Sequence, residues 1–190
     1  MQKASAGRWA ALLAALFISG AQAQVETRVK ACAGCHGADG NSLVAGTPSI
    51  AAQPRVFLEN YLVLTREGVG GTAVMQSLLK GVPDGEIAAL ATHYSALPSK
   101  AQGGPVDKKL FQRGKEVAEK NRCGSCHLPD YRGREQMPRL AGQREEFLAE
   151  AMLAYRRNRR PGGDTIMAAS LYGIAAADIR ALAHYLSRLK

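Results

Sequence analysis

The chain has 190 residues, four cysteines and a formal net charge of +9. That length suits one domain or two small ones. No segment beyond the N-terminus supplies the roughly 20 apolar residues a membrane-spanning helix needs, which excludes a bundle of such helices.

The first residues read as an export signal. Lys3 and Arg8 give a positive end, residues 9–19 are apolar, and Ala21-Gln22-Ala23 has the small-x-small form of a cleavage site. A signal peptide over 1–23 and a mature chain from Gln24 are expected; an uncleaved anchor is the competing reading. Without Lys3 and Arg8, 23 of the 25 basic side chains remain against 16 acidic ones. They are unevenly spread, 5 basic and 6 acidic over 25–98 but 18 and 10 over 99–190. Such asymmetry steers encounters with an acidic partner; an ordinary solvated surface is the plainer account.

Cys32-Ala-Gly-Cys35-His36 comes next, and Cys123-Gly-Ser-Cys126-His127 repeats its Cys-x-x-Cys-His pattern, so the two together use all four cysteines. This pattern attaches c-type haem, with two thiols on a tight turn forming thioethers and the histidine held beneath the iron. A zinc shared by the two pairs, a thioredoxin-like dithiol and disulfides are the alternatives. Haem is preferred because histidine directly follows both pairs and no strand precedes either one.

The repeat extends beyond the motifs. The block 47–53 matches 137–143 at an offset of 90, with Pro48 on Pro138 and Gln53 on Gln143; residues 72–75 match 164–167 at an offset of 92. The second offset continues through Ile87 and Leu90 to Ile179 and Leu182. One fold is written twice. The expected division is a first domain over 24–98, a linker over 99–106 rich in Gly and Pro, and a second domain over 107–190. Apolar spacing predicts helices over 54–66, 84–96, 107–122, 144–157 and 176–189, with Asp84 as a cap, and no strand. The class is all-α. Each copy is short for an independent core, so the fold is expected to depend on its haem.

What completes the iron decides between carrier and enzyme. Only Met75 and Met167 recur in both copies, 39 and 40 residues after their histidines, in what read as loops before the last helix. Met152 aligns with Leu62 and Met137 with Thr47, so neither serves both copies. His93 and His184 fall out of register with each other and are expected at the surface or its edge. Pro48 and Pro138 are either ordinary turn prolines or supply the carbonyl that orients the proximal histidine.

The chain resembles the cytochrome c4 family of two-haem class I c-type cytochromes. The resemblance is carried by Cys-Ala-Gly-Cys-His-Gly-Ala-Asp-Gly-Asn at 32–41, Pro-Arg-Leu-Ala-Gly-Gln at 138–143 and the methionine-then-helix blocks. It implies two tandem cytochrome c domains with two covalent haem c groups. Cys32 and Cys35 would hold one, with His36 and Met75 on its iron; Cys123 and Cys126 the other, with His127 and Met167. It also implies the carbonyl role for Pro48 and Pro138. The implied function is periplasmic electron transfer between a respiratory donor and a terminal acceptor such as an oxidase, and not catalysis. The alternatives are a cytochrome subunit of a flavin-dependent sulfide dehydrogenase, or a dihaem peroxidase. Expected partners are redox proteins with an acidic surface facing the basic second domain, where Arg156, Arg157, Arg159 and Arg160 cluster. Nucleic acid is not expected, and peripheral membrane association is compatible with the sequence. The copies differ from the family in two places: only 24–31 precede the first motif, without the glycine that Gly114 marks in the second, and Pro129-Asp-Tyr-Arg-Gly replaces Gly-Ala-Asp-Gly-Asn after the second.

Overall fold

A computed structural model describes residues 24–101 and 104–190; the expected signal peptide lies outside them. Nine helices are present among the described residues: α1 (24–36), α2 (Arg55–Arg66), α3 (Ala73–Leu79), α4 (Asp84–Ala96), α5 (Lys108–Lys120), α6 (Gly124–His127), α7 (Glu145–Arg156), α8 (Thr165–Ser170) and α9 (Ala176–Ser187). Among the described residues the nearest thing to a sheet is one isolated bridge, Arg134 to Met137. None of these helices is long and apolar enough to cross a membrane.

The expected helices form within two residues of their expected ends, and the caps explain the differences. Asp107 stands outside α5 because its carboxylate accepts from Lys109 N and Leu110 N. Asp84 does not cap α4: Pro83 occupies that place, and Asp84 instead receives the Arg66 guanidinium at 2.7 Å. Met75 and Met167 do not lie in loops. Each is the third residue of a short helix, its amide held by the capping side chain, Thr72 Oγ1 at 3.3 Å or Asp164 Oδ1 at 3.2 Å.

The halves repeat one packing scheme, α4 against α2 and α9 against α7. An arginine ends the earlier helix and clamps the chain before the later one in both. Arg66 Nη1 donates to Val82 O at 2.7 Å and Arg156 Nη1 to Ile174 O at 2.8 Å. The cores differ. In the second half α5, α7 and α9 share one cluster around Val117, Leu148, Ile179, Leu182 and Leu186. In the first, Leu58, Leu90, Ala91 and Tyr94 form one cluster and Leu79, Val82 and Ile87 another. Gly114 permits the tighter second core, because a Cβ there would sit 2.1 Å from Ala181 O on α9.

His184 is buried, not superficial. Its Nδ1–H donates to Glu145 Oε2 at 3.1 Å and its Nε2 accepts from Asp107 N at 3.1 Å. It ties α9 to α7 and to the start of α5, while His93 is half-buried and edge-on to Tyr94.

The two halves meet through reciprocal contacts. Gln53 Nε2 donates to Arg139 O at 3.0 Å and Gln53 Oε1 accepts from Arg139 N at 2.9 Å. Gln143 Nε2 donates to Ser49 O at 2.8 Å and Gln143 Oε1 accepts from Ser49 N at 2.7 Å. The offset of 90 exchanges Gln53 with Gln143 and Ser49 with Arg139, so this is an approximate two-fold interface built within one chain.

Candidate functional site

Each Cys-x-x-Cys-His motif closes a helix. The first completes α1, which runs unbroken to His36; in the second, α5 stops at Lys120 and α6 carries Gly124–His127. Both helices end at a residue of positive φ, Gly37 (82°) or Leu128 (69°), which turns the chain away and leaves the histidine inside.

His36 and His127 are 7% and 6% exposed. His36 Nδ1–H donates to Pro48 O at 2.8 Å and His127 Nδ1–H to Pro138 O at 3.0 Å. A carbonyl can only accept, so the hydrogen is on Nδ1 and the lone pair on Nε2, which is the form a metal needs. Burial lowers both imidazole pKa values and outweighs the opposing carbonyl contact, so both rings are neutral at neutral pH.

Cys32 and Cys123 are partly buried against the helix cores, and burial raises both thiols; Cys35 and Cys126 are exposed, and all four are free. Among the described residues no three His, Cys, Asp or Glu side chains gather where they could hold a metal ion. The two cysteine pairs therefore do not form a shared tetrahedral zinc site. With no strand leading into either motif, the thioredoxin-like alternative also loses its support. What remains at each site is a thiol pair and a neutral imidazole with a fixed tautomer, which fits covalent haem c. Met75 packs on the Leu79, Val82 and Ile87 cluster and Met167 on the second-half core. The apolar residues just before them, Val74 and Ile166, are 65% and 71% exposed.

The family model for cytochrome c matches residues 111–190. A cytochrome c4 of Stutzerimonas stutzeri is 31% identical over 85% of this chain and 86% of its own length. The chain belongs to the cytochrome c4 family. The crystal structure of reduced recombinant cytochrome c4 from Pseudomonas stutzeri superposes with a TM-score of 0.80 at 25% identity, over 88% of this chain and 97% of that one. A thiosulfate dehydrogenase electron acceptor of Thiomonas intermedia is 30% identical over 69% of this chain and 65% of its own. Membership in the cytochrome c4 family makes the chain an all-α class I cytochrome c that binds haem c covalently and transfers electrons with two haems.

Gln53 and Gln143 belong to this site and the motif reading gave them no role. The available signal was a glutamine kept at the end of the matched blocks 47–53 and 137–143.

Proposed function

We propose that Cys32 and Cys35 bind one haem with His36 and Met75 as axial ligands, and Cys123 and Cys126 the other with His127 and Met167. The reading divides the mature chain into domains over 24–98 and 107–190, joined by 99–106. The observation that carries it is the matched pair of buried histidines, each with Nε2 freed by a prolyl carbonyl, in halves that each keep a methionine at the third position of an equivalent helix. When bound, the haem irons supply one-electron redox chemistry. The chain's part is to fill both axial positions, so that no site is left for a substrate, and to exclude water with apolar packing. Methionine ligation favours the reduced state and raises the potential. The reading is a periplasmic carrier between a respiratory donor and a terminal acceptor, without catalysis of its own, supported by the likeness to cytochrome c4 and by the export-signal pattern over 1–23.

The test is spectroscopic. Oxidised protein should show the weak far-red band of methionine-ligated ferric haem at an intensity matching two haems. M75L and M167L should each remove half of it. A variant keeping the full band would mean that its methionine is not a ligand.

A second reading makes the chain the electron-accepting partner of a dehydrogenase, and the likeness to the Thiomonas intermedia thiosulfate dehydrogenase electron acceptor favours it. A dehydrogenase subunit that stays bound through purification would establish this reading; the free two-haem protein passing electrons to an oxidase with no dehydrogenase present would count against it.

A further inference from the structure

The carbonyl that orients each proximal histidine belongs to a peptide unit whose N–H is held by the other half. Pro48 O accepts from His36, and the amide on the same peptide, Ser49 N, donates to Gln143 Oε1 at 2.7 Å. Pro138 O accepts from His127, and Arg139 N on that peptide donates to Gln53 Oε1 at 2.9 Å. Both glutamines are held by the second bond of each pair, from Nε2 to Ser49 O or Arg139 O. They are 5% and 4% exposed, so solvent does not compete for these bonds.

Hydrogen bonds in series through a peptide strengthen one another. When the amide donates, its carbonyl gains electron density and accepts more strongly from the imidazole. A more strongly held Nδ1–H makes the ring a better donor at Nε2, and a ligand of greater basicity favours the oxidised iron. We infer that Gln53 and Gln143 are positioning residues acting across the interface, each lowering the reduction potential of the haem in the half to which it does not belong. The inference rests on the axial histidines proposed above. It gives the contact between halves a second task, because a disturbance of the interface reaches the iron ligands through one peptide on each side.

The test is a redox titration of the two-haem protein in which haem methyl resonances follow each haem separately. Q143M keeps the volume and removes the bonds to Ser49. The first haem's midpoint potential should rise while the second's stays, and the His36 ring N–H should exchange with deuterium about tenfold faster. Q53M is the mirror variant and should raise the second haem alone, so the test survives if one variant fails to fold. Q143E returns an acceptor to Ser49 N and should bring the first potential back to its starting value or below. A shift confined to the haem of the altered half, an equal shift of both, or no shift in folded variants would overturn the inference. Hyperfine-shifted ring-proton resonances of the two proximal histidines in the unaltered protein report their ligation separately, so a wrong histidine assignment is recognised before any variant is made.

Discussion

Leu128 and Tyr131 hold positive φ, 69° and 57°, where the first half has Gly37 and Gly40 at 82° and 72°. Gly40 O accepts from Ile50 N and Ala51 N at 2.8 and 3.0 Å, and Tyr131 O from Leu140 N and Ala141 N at 2.8 and 3.0 Å. The same turn is therefore built from unlike residues. Left-handed backbone costs a non-glycine residue about 1–2 kcal/mol, and the second half offsets this by burying Tyr131 edge-on against Tyr185. A Cβ at Gly40 would come within 3.0 Å of Ala51 N and 3.1 Å of Tyr94. Gly40→Ala should then destabilise the holoprotein by about 2–3 kcal/mol, combining backbone strain and crowding. Denaturant unfolding measures this, and an unchanged midpoint would show that the turn yields. The motifs, their histidines and both prolines were legible as residues because covalent chemistry and metal ligation demand particular side chains at a fixed spacing. The turn after the second motif was not, since glycine is the usual mark of positive φ and here two of the positions lack it.

At the level of helices, hydrophobic spacing located the elements within two residues because each buries one face. Capping decided the ends, and caps depend on where a side chain turns, as Asp84 and Asp107 show by doing opposite things. His184 turns inward for a similar reason: its being out of register with His93 says nothing about Glu145 on α7, which draws it into the core. The tightest helix pair, α5 on α9, is also joined by Arg113, whose Nε and Nη2 donate to Asp178 Oδ1 and Oδ2 at 2.7 and 2.9 Å. The Arg113 hydrogen bonds hold the Asp178 carboxyl below its ordinary value. A carboxylate with a depressed pKa adds stability above the unfolded value, near 3.9, and loses it as pH falls through the folded one. Thermal melts should show D178N less stable than the unaltered protein at pH 6, with the gap closing as the pH drops below about 4. A gap that persists undiminished to about pH 2 would rule out this linkage.

Across the molecule, the charge asymmetry was legible from counting, but its arrangement was not. Of the four clustered arginines, Arg156 repeats the Arg66 clamp, and Arg160 lies over the rings of Phe147 and Tyr155 at 5.7 and 5.1 Å. Arg157 and Arg159 are exposed, and no carboxylate pairs with them among the described residues. Docking of an acidic redox partner on the second half should depend on these two. Replacing both with Gln should slow electron transfer to such a partner several-fold at low ionic strength and leave it unchanged at high salt, where screening removes the steering. Stopped-flow rates across a salt series check this; equal slopes for the two proteins would place the docking surface elsewhere.

The interface between the halves was invisible to the sequence because its bonds run from side chains to backbone, which leaves no complementary residue pair to notice. Its symmetry has a consequence for origin. A single-haem ancestor bearing one glutamine and one prolyl loop would have possessed both sides of this contact, and so would have paired with a copy of itself. Fusing two such genes end to end would preserve a working homodimer in a single polypeptide, and later divergence, Ser49 against Arg139 for example, would be free to make the twins unequal.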